Sequence, residues 1–182
     1  MKDGKAELLK YFSHNDLLLC NINNDLPSIE DVGGDWNSIA ELMEQGQVFY
    51  SKLYKGRVTY ISPRLYYVLK PYKQRVEIIS EDSCRILQFV RSAGLATTEE
   101  IKNAIAMPKK DFDKAMDGLF KELLLTVIKR DKILTDSWTS FCWGGFEEWE
   151  KICPIVPNQI DPLPLLREIL TERQIKKIIG EL

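Results

Sequence analysis

Chemistry-bearing side chains are scarce in this chain. Histidine occurs once, at His14, so neither an HExxH zinc motif nor a His-based catalytic triad can be assembled. The cysteines, Cys20, Cys84, Cys142 and Cys153, form no CxxC pair and keep no regular spacing. That excludes a zinc ribbon or a disulfide framework and suits a reducing, cytoplasmic compartment. A Gly-rich phosphate loop, a GxSxG elbow and a DxDxDG calcium loop are also missing. No metal and no cofactor is expected. Nor is there an apolar run of 18 residues, the length a membrane helix needs, and Met1-Lys2-Asp3-Gly4 is not a secretory start. The chain is expected to be soluble, with no membrane contact.

What is present is a strong local order over Ser80 to Trp143. A first helix, capped by Ser80 or Ser83, carries Cys84, Ile86, Leu87 and Val90 on one face and stops at Gly94. Thr97 and Glu100 have capping-box spacing and open a second, with Ile101, Ala104 and Ile105 turned inward until Met107-Pro108 ends it. The third, roughly Lys109 to Leu123, is the clearest periodic segment. Phe112, Ala115, Met116, Leu119 and Leu123 line one face, and Lys110, Lys114, Asp117 and Lys121 the other. The β-forming run 124–128, a charged turn at Lys129-Arg130-Asp131-Lys132 and a return strand within Ile133 to Trp143 follow. Three helices and a hairpin in this order predict a winged helix-turn-helix, whose third helix enters the major groove.

Charge qualifies that reading. Lysine plus arginine balances aspartate plus glutamate over Ser80 to Trp143, whereas a duplex-binding domain presents a basic face to phosphates. The unbalanced cations lie upstream. Lys52, Lys55, Arg57, Arg64, Lys70, Lys73 and Arg75 fall in a stretch from Ser51 to Arg75 without one acidic residue, interleaved with Tyr54, Tyr60, Tyr66, Tyr67 and Tyr72 and preceded by Tyr50. Cations among aromatics suit phosphates and stacked bases. The plainer reading is a hairpin around Lys55-Gly56-Arg57, with packed tyrosines and solvated lysines. The expected nucleic-acid contacts are Lys52, Lys55, Arg57, Arg64, Lys110, Lys114, Lys121, Lys129 and Arg130.

The flanks are less distinctive. Short helices are expected at Lys5 to Phe12, from Asn37 or Ser38 to Gln45, at Phe146 to Ile152 and at Leu163 to Leu170. Leu17 to Cys20 reads as a buried strand or helix fragment, Ser28 as the cap of a turn, and Thr171 with Gln174 as a second capping box. Glu147, Glu148 and Glu150 read as a solvated helix start rather than a metal cluster, and His14 as an exposed residue near a buried Cys20 rather than a catalytic base. The fold class is therefore α+β and mainly helical: an N-terminal elaboration over 1–79 with a basic, Tyr-rich hairpin, a winged helix over 80–145, and a C-terminal helical tail over 146–182 that packs on the domain or on a second copy.

The 80–143 segment, the run Lys52-Leu53 to Ile61-Ser62 before it and Phe141-Cys142-Trp143 after it resemble the AlkZ-like winged-helix DNA glycosylase superfamily, in particular its short AlkZ-related bacterial members. The resemblance implies winged helices that cradle DNA and a Gln-x-Gln pair that positions the water releasing an alkylated or crosslinked base. The matching residues are Gln45 and Gln47. Between them the family's usual hydrophobic residue is replaced by Gly46, and read from the residues alone Gln45-Gly46-Gln47 is a helix end with a capping glycine. The expected function is weak DNA binding without catalysis. A reduced DNA glycosylase and a protein-interaction module, the latter with a protein partner or a second copy, are the alternatives.

Overall fold

A computed structural model describes residues 3–135, 138–155 and 162–179. The chain is α+β, with two three-stranded antiparallel sheets among the described residues. The first part runs α1 (Gly4–Phe12), β1 (Leu17–Leu19), α2 (Trp36–Glu44), β2 (Phe49–Tyr54) and β3 (Arg57–Ile61), then α3 (Pro63–Leu69). Residues 70–79 cross over through two short 3₁₀ turns. The second part runs α4 (Glu81–Ala93), β4 (Ala96–Thr97), α5 (Thr98–Ala104), α6 (Lys109–Lys121), β5 (Leu125–Thr135) and β6 (Trp138–Gly145). Then come α7 (Phe146–Ile152), α8 (Pro162–Ile169) and α9 (Glu172–Ile179).

The helix starts are local chemistry. Asp3, Asp35, Ser62 and Ser80 each accept a backbone N–H from the first turn of α1, α2, α3 and α4. Thr97 and Glu100 close the expected capping box on α5, and Thr171 with Gln174 repeats that geometry before α9. The hairpin at Lys55-Gly56-Arg57 is also present.

Three expectations need correction. Lys129 to Lys132 is not a turn, because β5 runs through it. Arg130 is pinned there by Glu44, which accepts its backbone N–H at 2.8 Å, and register shifts on either side absorb the irregular residues. Glu150 does not face solvent; it accepts the Tyr66 hydroxyl at 2.7 Å and the Lys70 ammonium at 2.6 Å. Leu123 is buried but leaves the three-helix core, because at φ 54° the chain has already turned away from α6.

A parallel between the two parts was not legible in the sequence. The first runs helix, strand, helix, hairpin, the second has one more helix before its hairpin, and in each the hairpin's second strand lies in the middle of the sheet, giving β1-β3-β2 and β4-β6-β5. The parts dock reciprocally, α2 on β5 and α6 on β2. At the centre the Tyr50 N–H donates to Thr126 Oγ1, and the Thr126 hydroxyl donates to the Tyr50 carbonyl, both at 3.0 Å. Two ion pairs flank this point in matching positions, Glu44 of α2 with Arg130 of β5 and Asp117 of α6 with Lys52 of β2.

The first sheet is covered on both faces. Successive residues of a strand point to opposite sides. The row Leu18, Tyr60, Tyr50 accordingly joins a core with Leu87, Ile101, Phe112, Met116, Leu119 and Trp143. The opposite row, Leu17, Ile61, Phe49, packs under Trp149, Leu166, Leu170 and Ile178 of the C-terminal helices. The tail thus closes the chain's own sheet.

Candidate nucleic-acid interface

The cationic run from Ser51 to Arg75 is mostly consumed inside the fold. Lys52 meets Asp117 at 2.6 Å, Lys55 meets Asp25, Arg64 meets Asp16 at 2.7 Å, and Lys70 meets Glu150. Lys73 and Arg75 both lie 3.5 Å from the almost enclosed Glu122. Burial holds the Lys73 ammonium below its usual range, with Glu122 opposing that shift. Among the described residues Arg57 is the member of the run without an ion-pair partner. The acids come from α6, α7 and the loops around β1, too distant in sequence for a local charge count to register.

The tyrosines are likewise spent. Tyr50, Tyr54, Tyr60 and Tyr66 are buried, and Tyr67 and Tyr72 are half-buried against the second core. Phe49 stacks on Tyr66 at 4.6 Å between ring centroids, and Tyr66 packs on Trp149. The buried rings cannot serve as a stacking platform for bases. The packed half of the plainer reading holds, while its solvated lysines are in fact paired.

Exposed charge remains on α6. Lys110, Lys114 and Lys121 lie on its outer side, spaced four and seven residues apart, with no ion-pair partner for their ammonium groups among the described residues. Lys121 brings this stripe to the β2–β3 turn, since its Cε runs 3.6 Å from where a Cβ on Gly56 would stand. Arg57 follows directly. Beside this stripe Lys52 reaches across from β2 to Asp117 and lies over the Phe120 ring at 5.9 Å, while Lys121 stays exposed. On the other hairpin Lys129 is exposed, but Arg130 is held by Glu44, whose oxygens take both its guanidinium and its backbone. Burial alone would raise the Glu44 carboxyl; these hydrogen bonds outweigh it and hold it below its ordinary value.

Gln45-Gly46-Gln47 ends α2 as a Schellman motif. The Gly46 N–H donates to Met43 O at 3.1 Å and the Gln47 N–H to Leu42 O at 2.9 Å, with Gly46 at φ 65°. A Cβ on Gly46 would stand 2.7 Å from the Ile152 carbonyl oxygen, so the backbone of α7 needs glycine there as well. Gln45 is exposed. Gln47 is half-buried and lines a cavity of about 580 Å³ with His14, Asn15, Asp16, Ser62 and Arg64. Asp16 is engaged there by Arg64 and by the Ser62 hydroxyl. Of these neighbours the sequence marks Arg64, as a nucleic-acid contact, and draws attention to His14; Asn15, Asp16 and Ser62 carry no sequence signal and are single polar residues brought together by the β1–β3 pairing.

His14 is exposed and bonded to its own helix end through Ser13 Oγ and Lys10 O, and Cys20 is only half-buried. Among the described residues no three His, Cys, Asp or Glu side chains converge as a metal site requires, and no helix is long and apolar enough to cross a membrane.

A family model described as AlkZ related matches residues 24–172, a span that begins after β1 and takes in the β2–β3 hairpin, the whole second sheet, the α6 stripe and the Gln45-Gly46-Gln47 corner. No curated protein and no solved structure is significantly similar to the chain.

Proposed function

This chain belongs to the AlkZ-related family, and from that premise we propose that it is a DNA-binding protein that holds phosphates without releasing a base. In this reading 80–145 is a winged helix, with β4 to β6 as its sheet and β5–β6 as the wing; 1–79 is a second unit docked against it and 146–182 is the covering tail. The phosphate contacts are Lys110, Lys114 and Lys121 of α6 with Arg57 of the turn, and Lys129 beside the wing. Lys52, Lys55, Arg64 and Arg130 are set aside because each already holds a carboxylate. The observation that carries the reading is the approach of Lys121 to Gly56, which joins the helix cations to Arg57 on one face. Free thiols and a net charge near zero suit the cytoplasm.

The test is fluorescence anisotropy against a short duplex over a salt series. Changing Arg57, Lys110, Lys114 and Lys121 together to glutamate should abolish binding at about 50 mM salt, and each single neutralisation should flatten the log–log salt slope by about 0.9. Unchanged binding in the quadruple variant would reject this surface and move the preference to a protein partner.

One observation favours a second reading, a reduced DNA glycosylase: Gln47 opens onto a cavity with several polar walls. Against it stands Gln45, which is exposed and lies outside that lining, so the two amides do not converge. Incubation with duplexes bearing an alkylated purine or an interstrand crosslink should yield no abasic sites. Abasic sites that vanish on Gln45→Ala and Gln47→Ala would establish the glycosylase.

A further inference from the structure

The described residue with the most exposed large hydrophobic side chain is Ile22, at 66 %, and it stands beside Arg57. It is held out by its loop. Asn23 Oδ1 accepts the Asp25 and Leu26 N–H groups at 2.8 and 3.0 Å, and its Nδ2 donates to the Asn21 and Leu26 carbonyls at 3.0 Å. The amide of Asn23 is thus fully used in bracing the loop, and Lys55 fastens the far end by its ion pair with Asp25. A braced loop that shows an isoleucine to water cannot hide it by rearranging its tip.

Next to Ile22 lies a cavity of about 680 Å³ whose walls include Asn21, Asn24, Arg57 and Val58. Asn21 and Asn24 are exposed and their amides make no hydrogen bond among the described residues, and the Arg57 guanidinium makes no direct ion pair there, although Asp25 feels its charge. The site therefore offers an apolar face, two free amides and a guanidinium, on the same turn that Lys121 approaches. Asp25 is the acid on the rim, held below its ordinary value first by the hydrogen bond from Lys55 and also by the charges of Lys55, Lys177 and Arg57. These groups match the parts of one nucleotide: base face, base edge and phosphate. Apolar wedges such as isoleucine enter between base steps and open them, and side-chain amides read base edges.

We propose that the cleft between the Asn21–Asp25 loop and Arg57 seats an unpaired nucleotide of DNA, with Ile22 against the base, Asn21 and Asn24 at its edge and Arg57 on the phosphate. The inference rests on the DNA-binding reading above and adds to it a preference for duplexes with a base already out of the stack, where the cost of unstacking has been met.

The experiment compares two fluorescein-labelled duplexes of the same sequence, one perfect and one with a single-nucleotide bulge, titrated with the full chain at about 50 mM salt. The bulged duplex should bind tighter by about fivefold or more. Ile22→Ser should erase that ratio while leaving perfect-duplex affinity within about twofold, and Ile22→Leu should keep it. Circular dichroism checks that both variants fold. Equal affinity for the two duplexes, or a preference that survives Ile22→Ser, overturns the cleft while the α6 phosphate face stands. Binding to neither duplex overturns both.

Discussion

Gly46 and Gly94 both sit at positive φ, 65° and 78°, yet their surroundings differ. A Cβ on Gly94 would meet nothing within 4 Å, whereas one on Gly46 would press into the backbone of Ile152 and Cys153. Gly94→Ala should therefore cost only the strain of holding a side chain at φ 78° and ψ −56°, about 1 to 3 kcal/mol. Gly46→Ala adds a backbone collision and should cost more than about 2 kcal/mol, measurable as a shift in the urea midpoint. A Gly46→Ala variant that loses less than about 1 kcal/mol would refute the close approach of α2 to α7. Leu119, fully buried in the first core, should cost roughly 2 to 5 kcal/mol on replacement by alanine. The periodicity of α6 was enough to single it out.

At the scale of elements, the pair between α2 and β5 makes a pH test. Glu44 is held below its ordinary value of 4.5 by hydrogen bonds from Arg130 that outweigh burial. A depressed carboxyl contributes stability that is complete above the ordinary value and is lost as pH falls through the lower, folded-state value. Stability of the native chain should thus fall between about pH 5 and 3, and Glu44→Gln should flatten that fall while lowering stability at neutral pH. An acid limb unchanged by Glu44→Gln would mean that the pair carries no folding energy. Elements were the legible level of this chain, since capping residues, Gly94 and the period of α6 act within a turn or two of themselves. The candidate site was less so. The alkalinity of Ser51 to Arg75 looked like a ligand face because its carboxylates sit in α6, α7 and the β1 loops, and a linear window cannot see partners supplied by tertiary packing. Arg57 became conspicuous only after the others had been accounted for, and Ile22 drew no attention until the loop around it had a shape.

For the molecule as a whole, the exchange between Tyr50 and Thr126 is the point where the two parts meet. Thr126→Val keeps the shape but leaves a buried N–H and a buried carbonyl on Tyr50 without partners, which should cost about 1 to 3 kcal/mol. Thr126→Ser, which keeps the hydroxyl, should restore most of that. If both substitutions were equally costly, the lost methyl or the changed packing would explain the loss and the hydrogen bonds would not.

The reciprocal docking also bears on how the chain melts. One core draws Leu18, Ile39 and Leu42 from before the crossover and Leu87, Phe112 and Trp143 from after it, so neither part keeps a finished interior when the other leaves. Two like units on one chain would ordinarily suggest independent folding. Here unfolding is expected to be all-or-none, with tryptophan emission and far-ultraviolet ellipticity tracing the same thermal curve. Separately expressed pieces, 1–79 and 80–182, should each be loosely structured and recover the native spectrum when mixed, as the partners of an obligate heterodimer do.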